Sequence, residues 1–168
     1  KHIVSDKQIV LRLQPQVNRD GMTLGAEALL RWNHPKLGLL APDKFMELAE
    51  RRGVTADINS YVLENATRLL GAWQIEPETS GLRLAVNIGA EQLFDPELPR
   101  SLRENLKRYA APPQLLTLEF TEETIAKNRD EAMKAMARLK TTGVRLSLDD
   151  FGTGYSSLAQ LKDMPLSE

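Results

Sequence analysis

The chain has 168 residues, 42% of them hydrophobic and 27% charged, with a formal net charge of -1 and no cysteine. That length holds one domain with a real core, or part of a larger one. The composition excludes disulfides and thiolate metal sites, excludes a global basic field that would recruit a nucleic-acid polymer or an anionic membrane, and contains no apolar run near the ~20 residues of a membrane span. The chain opens on Lys1, so the expectation is a piece cut from a longer protein, with any targeting information upstream.

In chain order, residues 9–17 read as a strand interrupted by Pro15 near its end, and Asn18-Arg19-Asp20-Gly21 reads as a turn. Residues 24–32 read as a second strand with Glu27, Leu29 and Arg31 on one face, and the short turn predicts an antiparallel hairpin. Pro42 opens a predicted helix that carries Phe45, Leu48 and Ala49 on one side and stops at Gly53. A longer helix follows, with Ile58, Val62, Ala66, Leu69, Leu70 and Trp73 at helical spacing. The strand over residues 82–88 turns Ala85 and Asn87 away from its apolar side. A helix over residues 97–109 leads to Pro112-Pro113, and the strand at 116–120 sets Glu119 opposite its apolar residues. Asn128 starts a helix with capping-box character whose stripe is Met133, Met136 and Leu139, and Gly143 ends it.

The next strand alternates Val144, Leu146 and Leu148 with Arg145, Ser147 and Asp149, then stops at Asp149-Asp150 and a Gly152-Thr153-Gly154 loop before a helical segment with Leu158 and Leu161. Strand and helix alternate through the second half, which argues for a parallel sheet with crossovers. Each of three successive strands carries a polar residue near its carboxyl end, namely Asn87, Glu119 and Asp149. In an α/β barrel that end is where a site sits. Singly, Glu27 also reads as a partner of Arg31, Glu119 as a solvent-facing residue, Asn87 as a turn cap and His34 as a loop residue. Together, Glu27, Asn87, Glu119, Asp149 and Asp150 are an oxygen-only donor set whose mutual repulsion a hard divalent cation, Mg²⁺ or Mn²⁺, would relieve. Arg31, on the face of Glu27, suits an anionic oxygen of a substrate.

At these residues the chain resembles the EAL domain, a bacterial phosphodiesterase domain that linearises cyclic dimeric GMP. The resemblance rests on Glu27-Ala28-Leu29 extended by Leu30-Arg31-Trp32 and His34-Pro35, and on Leu37-Gly38-Leu39-Leu40-Ala41-Pro42. It also rests on Ala85-Val86-Asn87-Ile88, on Leu118-Glu119-Phe120-Thr121-Glu122, and on the string from Asp149 to Leu158. It implies an α/β fold, a TIM-like (βα)8 barrel with an antiparallel first strand. It further implies two Mg²⁺ or Mn²⁺ ions on Glu27, Asn87, Glu119, Asp149 and Asp150, with Glu27, Asp149 and Asp150 catalytic, and substrate contacts from Arg31 and Gln14. Leu13 stands where the family commonly has an aromatic residue.

The implied activity is hydrolysis of cyclic di-GMP to linear pGpG in second-messenger signalling. The alternative is a catalytically silent cyclic di-GMP receptor that acts through a protein partner. A third reading, an enolase-like barrel, leaves the string from Asp149 to Leu158 without an account. The implied partners are cyclic di-GMP, a second copy in a homodimer and an upstream sensor or GGDEF domain, with no nucleic-acid polymer, in the cytoplasm. The family continues past Leu166 into a strand whose lysine assists catalysis, then to a metal-binding Glu and a Gln; Lys162 is not that lysine. Residues 1–168 are therefore expected to be an EAL domain truncated before its later strands, inactive alone and prone to associate through its open edges.

Overall fold

The structure is a computed structural model and describes residues 8–126, 128–149 and 166. Strand β1 (Ile9–Val17) turns back into β2 (Thr23–His34) as an antiparallel hairpin, as the short turn predicts. Asn18 builds that turn: its Oδ1 accepts the backbone N–H of Asp20 at 3.0 Å and of Met22 at 2.9 Å. β1 runs through Pro15 unbroken, which an edge strand tolerates, and among the described residues β1 has a partner on one side only.

β2 reaches two residues further than the apolar pattern indicated, because the short strand β3 (Gly38–Leu40) folds back onto Trp32–His34. His34 is therefore the last residue of β2, and its Nδ1 accepts the backbone N–H groups of Lys36 and Leu37, each at 3.1 Å.

The predicted helix from Pro42 is broken. A 3-10 turn at Pro42–Lys44 precedes α1 (Met46–Arg51), and the break at Phe45 has φ -140°. Phe45 and Ala49 are buried as expected, but Leu48 is 47% exposed, because the break leaves it on the outer flank of α1. Then come α2 (Thr55–Trp73), β4 (Arg83–Asn87), the single turn α3 (Ala90–Leu93) and α4 (Leu98–Arg108). β5 (Leu116–Thr121), α5 (Glu122–Ala126), α6 (Arg129–Lys140) and β6 (Arg145–Asp149) complete the described elements. Asn128 caps α6 reciprocally: its Oδ1 accepts from Glu131 N, and its Nδ2 donates to Glu131 Oε2 at 2.7 Å. Gly143 leaves α6 at φ +88°, a conformation that costs a residue with a Cβ.

The six strands form one sheet in the order β1-β2-β4-β5-β6, with β3 on β2. β1 is antiparallel to β2, whereas β2, β4, β5 and β6 are mutually parallel. Among the described residues β1 and β6 are free edges, so the sheet is an open, incomplete TIM-like barrel. One face is aliphatic: Ala26 and Ala28, then Leu84 and Val86, Leu116, Leu118 and Phe120, and Leu146 are all buried. Against it pack Ile58, Val62, Ala66 and Leu70 of α2, Leu102 and Leu106 of α4, and Met136 and Leu139 of α6, all in one core. Each leucine-sized side chain buried there contributes about 1.5–3 kcal/mol. The helices thereby occupy one face and leave the other for the polar residues. Leu13 and Leu24, at the lower end of the β1–β2 hairpin, stay 42% and 50% exposed on the helix side of the sheet.

Candidate active site

Side chains alternate across a strand, so residues paired in register share a face. Opposite the helices lie Arg12 and Gln14 on β1, then Glu27, Leu29 and Arg31 on β2. Ala85 and Asn87 on β4, Thr117, Glu119 and Thr121 on β5, and Arg145, Ser147 and Asp149 on β6 continue that inner face. The register fixes heights. Gln14 stands directly across from Glu27, and Glu27 pairs with Ala85, two residues below Asn87. Asn87 pairs with Glu119 and Glu119 with Ser147, whereas Asp149 pairs with Thr121, nearer the carboxyl ends.

The expected site residues thus occupy neighbouring strands on one face, and two of them touch: Asn87 Nδ2 donates to Glu27 Oε1 at 2.7 Å. Gly25 permits that approach. It pairs with Arg83, and a Cβ there would sit 2.3 Å from the Arg83 carbonyl oxygen, so β2 and β4 lie this close only because residue 25 has no side chain. Glu27 and Glu119 are half-buried, and Asn87 and Asp149 are exposed. Asp150, the fifth expected ligand, and the loop and helix expected after it lie outside the described residues. Among the described residues no three His, Cys, Asp or Glu side chains converge as a closed metal cage would. The donor set is all oxygen, with the amide of Asn87 seated between Glu27 and Glu119 in the sheet.

Arg31 is half-buried, and its Nη1 donates to its own strand at the Leu30 carbonyl, 2.7 Å away. Beside it opens a cavity of about 380 Å³, walled by Arg31, Pro42, Thr55, Asn59, Asn87 and Gln92 among others. Thr55 Oγ1 is buried there without a hydrogen-bond partner among the described residues. Thr55 and Gln92 carry no signal in the sequence, since neither lies in a strand pattern and α3, which carries Gln92, is a single turn. Thr121 carries none either; its Oγ1 lies 2.9 Å from Thr124 Oγ1, at the level of Asp149.

An open sheet of parallel strands behind an antiparallel first hairpin, with Glu27, Asn87, Glu119 and Asp149 on one face of successive parallel strands, defines a barrel-class α/β domain with an oxygen-rich site. The model of the EAL domain family matches residues 1–168, and the chain belongs to that family. It is 41% identical over 163 residues to the bifunctional diguanylate cyclase/cyclic di-GMP phosphodiesterase MucR of Pseudomonas aeruginosa, covering 96% of this chain and 24% of MucR. It is 40% identical over 167 residues to the cyclic di-GMP phosphodiesterase NbdA of the same organism, covering 99% of this chain and 21% of NbdA. The chain therefore spans about a quarter of the length of these curated relatives. Among solved structures, the PaMucR phosphodiesterase in complex with c-di-GMP matches with a TM-score of 0.92 and 40% identity, over 99% of this chain and 68% of that one. The EAL enzyme Bd1971, bound to cAMP and cyclic-di-GMP, matches with a TM-score of 0.87 and 29% identity, over 99% of this chain and 46% of that one.

Proposed function

We propose that this chain carries the substrate- and metal-binding face of a phosphodiesterase that opens cyclic di-GMP to linear pGpG. The observation that carries this reading is the contiguous inner-face set Glu27, Asn87 and Glu119, tied by the 2.7 Å Asn87–Glu27 bond, with Arg31 above it at the mouth of a cavity. Homology to cyclic di-GMP phosphodiesterases supplies the substrate class.

The residues fit hard divalent cations: every donor is oxygen, and the carboxylates of Glu27, Glu119 and Asp149 share one face of the sheet. Glu27, Asn87, Glu119 and Asp149, with Asp150, would hold Mg²⁺ or Mn²⁺. Such ions supply charge stabilisation at a phosphoryl oxygen and a water of lowered pKa. The chain's own residues do the rest. Arg31 takes a non-bridging phosphate oxygen, exchanging its hydrogen bond to the neutral Leu30 carbonyl for one to an anionic oxygen. Gln14, across the strand pair from Glu27, hydrogen-bonds the ligand beside the acidic set. Asn87 keeps the Glu27 carboxylate from swinging away. The cavity next to Arg31 receives a guanine base, orienting the phosphodiester for in-line attack. Water oxygen forms the new P–O bond, the P–O3′ bond breaks, and the freed 3′ oxygen takes a proton.

Incubating the full-length protein with cyclic di-GMP and either cation, and following pGpG by chromatography, tests this. Turnover should appear with Mg²⁺ or Mn²⁺ and vanish in EDTA. Turnover in EDTA would remove the cations from the reading, and tight binding with no product in either metal would leave a receptor in place of a hydrolase.

A further inference from the structure

On the inner face of the β1–β2 pair, the level between the Gln14–Glu27 pair and Arg31 is occupied by Arg12 on β1 and Leu29 on β2. In the register Gln14 faces Glu27, Arg12 faces Leu29 and Val10 faces Arg31. Directly opposed side chains of an antiparallel pair start about 4.5–5.5 Å apart, and diagonal ones about 7–8 Å apart. A guanidinium on a three-carbon stem at position 12 therefore reaches the ground on either side of Leu29, toward both Glu27 and Arg31.

Arg12 and Arg31 are the cations on the inner face of these two strands. Some exposed arginines elsewhere in the fold pair with carboxylates, Arg51 with Glu47, Arg100 with Glu97 and Glu104, and Arg108 with Glu64; what sets Arg12 apart is its place on the inner face, in the row of Gln14 and opposite Leu29. Arg12 is exposed and makes no hydrogen bond or ion pair among the described residues. The nearest carboxylate on its face, Glu27, is held by Asn87 instead. An arginine with its fork unused, set in the row between an amide and a second arginine on a ligand-facing surface, is poised for an anion.

We propose that Arg12 is a second phosphate-binding residue: Arg31 takes one phosphate of a cyclic dinucleotide and Arg12 the other. This deepens the function proposed above and rests on it. The ligand has two phosphodiesters on one ring, and two arginines on adjacent strands can meet both, even in EDTA, when no divalent cation is bound. Arg12 then selects for bis-phosphate rings over nucleotides with one phosphate.

The test is equilibrium binding of cyclic di-GMP to the full-length protein in EDTA, where no turnover interferes, at several NaCl concentrations. R12A should weaken Kd about tenfold and make it less sensitive to salt, because a screened charge contact is gone. R12K should recover part of the affinity, since lysine keeps the charge but not the two-pronged geometry. R19A, in the hairpin turn, removes the same charge away from the inner face and should bind like wild type. Unchanged binding by R12A, an equal loss in R19A, or a loss with unaltered salt dependence would each overturn the assignment. Wild-type protein that binds no cyclic di-GMP in EDTA and turns none over with Mg²⁺ or Mn²⁺ would instead defeat the function proposed above, and Arg12 with it; wild-type protein that turns it over but binds none in EDTA would overturn the Arg12 assignment alone.

Discussion

Replacing Gly25 with alanine should disturb the fold and the site together. The new Cβ would lie 2.3 Å from the Arg83 carbonyl oxygen, 3.0 Å from its carbonyl carbon and 3.1 Å from its Cβ. Carbon and oxygen need about 3.4 Å, so β2 and β4 must part by roughly 1 Å at this level. The obstacle is backbone, which cannot rotate aside as a side-chain tip does. Hydrogen bonds of about 2.9 Å stretched by that amount no longer count as bonds. A buried N–H or C=O left so costs about 1–3 kcal/mol, and overpacking costs a similar amount. A total of about 2–4 kcal/mol lowers the melting temperature by roughly 5–15 °C for a domain of this size. Two residues on, the Glu27–Asn87 bond of 2.7 Å spans the same pair of strands and should open too. Differential scanning calorimetry and cyclic di-GMP turnover on one preparation read both effects. A melting temperature within 1 °C of wild type, with full turnover, would refute this account of how β2 meets β4.

Asp149→Asn removes one anionic donor and leaves the inner-face arginines in place, so hydrolysis of cyclic di-GMP should fall at least about 100-fold while its Kd in EDTA stays put. A wild-type rate measured by chromatography would take Asp149 out of the metal set. Asn128→Ala removes both halves of the reciprocal cap with Glu131. It should cost about 1 kcal/mol, seen as a fall of a few degrees in melting temperature with activity retained.

The strands were legible because their signal is local and repeated. Alternation set Glu27, Asn87, Glu119 and Asp149 opposite Ala28, Val86, Leu118 and Leu148, and the pairing register keeps each on that side. Capping was legible too, since Asn128 and Glu131 sit three apart. What stayed hidden depends on contacts beyond a few residues. β3 is three residues long and exists because Trp32–His34 offers a free edge. α3 and α5, of four and five residues, are too short for a hydrophobic period to show. The break at Phe45 comes from tertiary packing: its ring lies edge-on to Trp32, with centroids 5.6 Å apart, which holds it out of helical geometry and turns Leu48 outward. The cavity beside Arg31 joins residues from β2, α2 and α3, so no window of sequence contains it.

The same register that stabilises the sheet also builds the site. The side-chain period is two, so a slip of one residue in any of the three parallel pairings would turn a carboxylate toward the helices and an aliphatic residue toward the ligand. For β5 that slip would press Glu119 among Leu102, Leu106 and Met136 and bring out Leu118 and Phe120, both wholly buried in the native register. Exposing those two side chains forfeits about 1.5–3 kcal/mol each, and an unpaired carboxylate in their place costs more. Against this, the repulsion among Glu27, Glu119 and Asp149 on the open face is small, because water and cations reach it. The aliphatic layer under α2, α4 and α6 therefore holds like charges side by side, in an arrangement they would not adopt unaided.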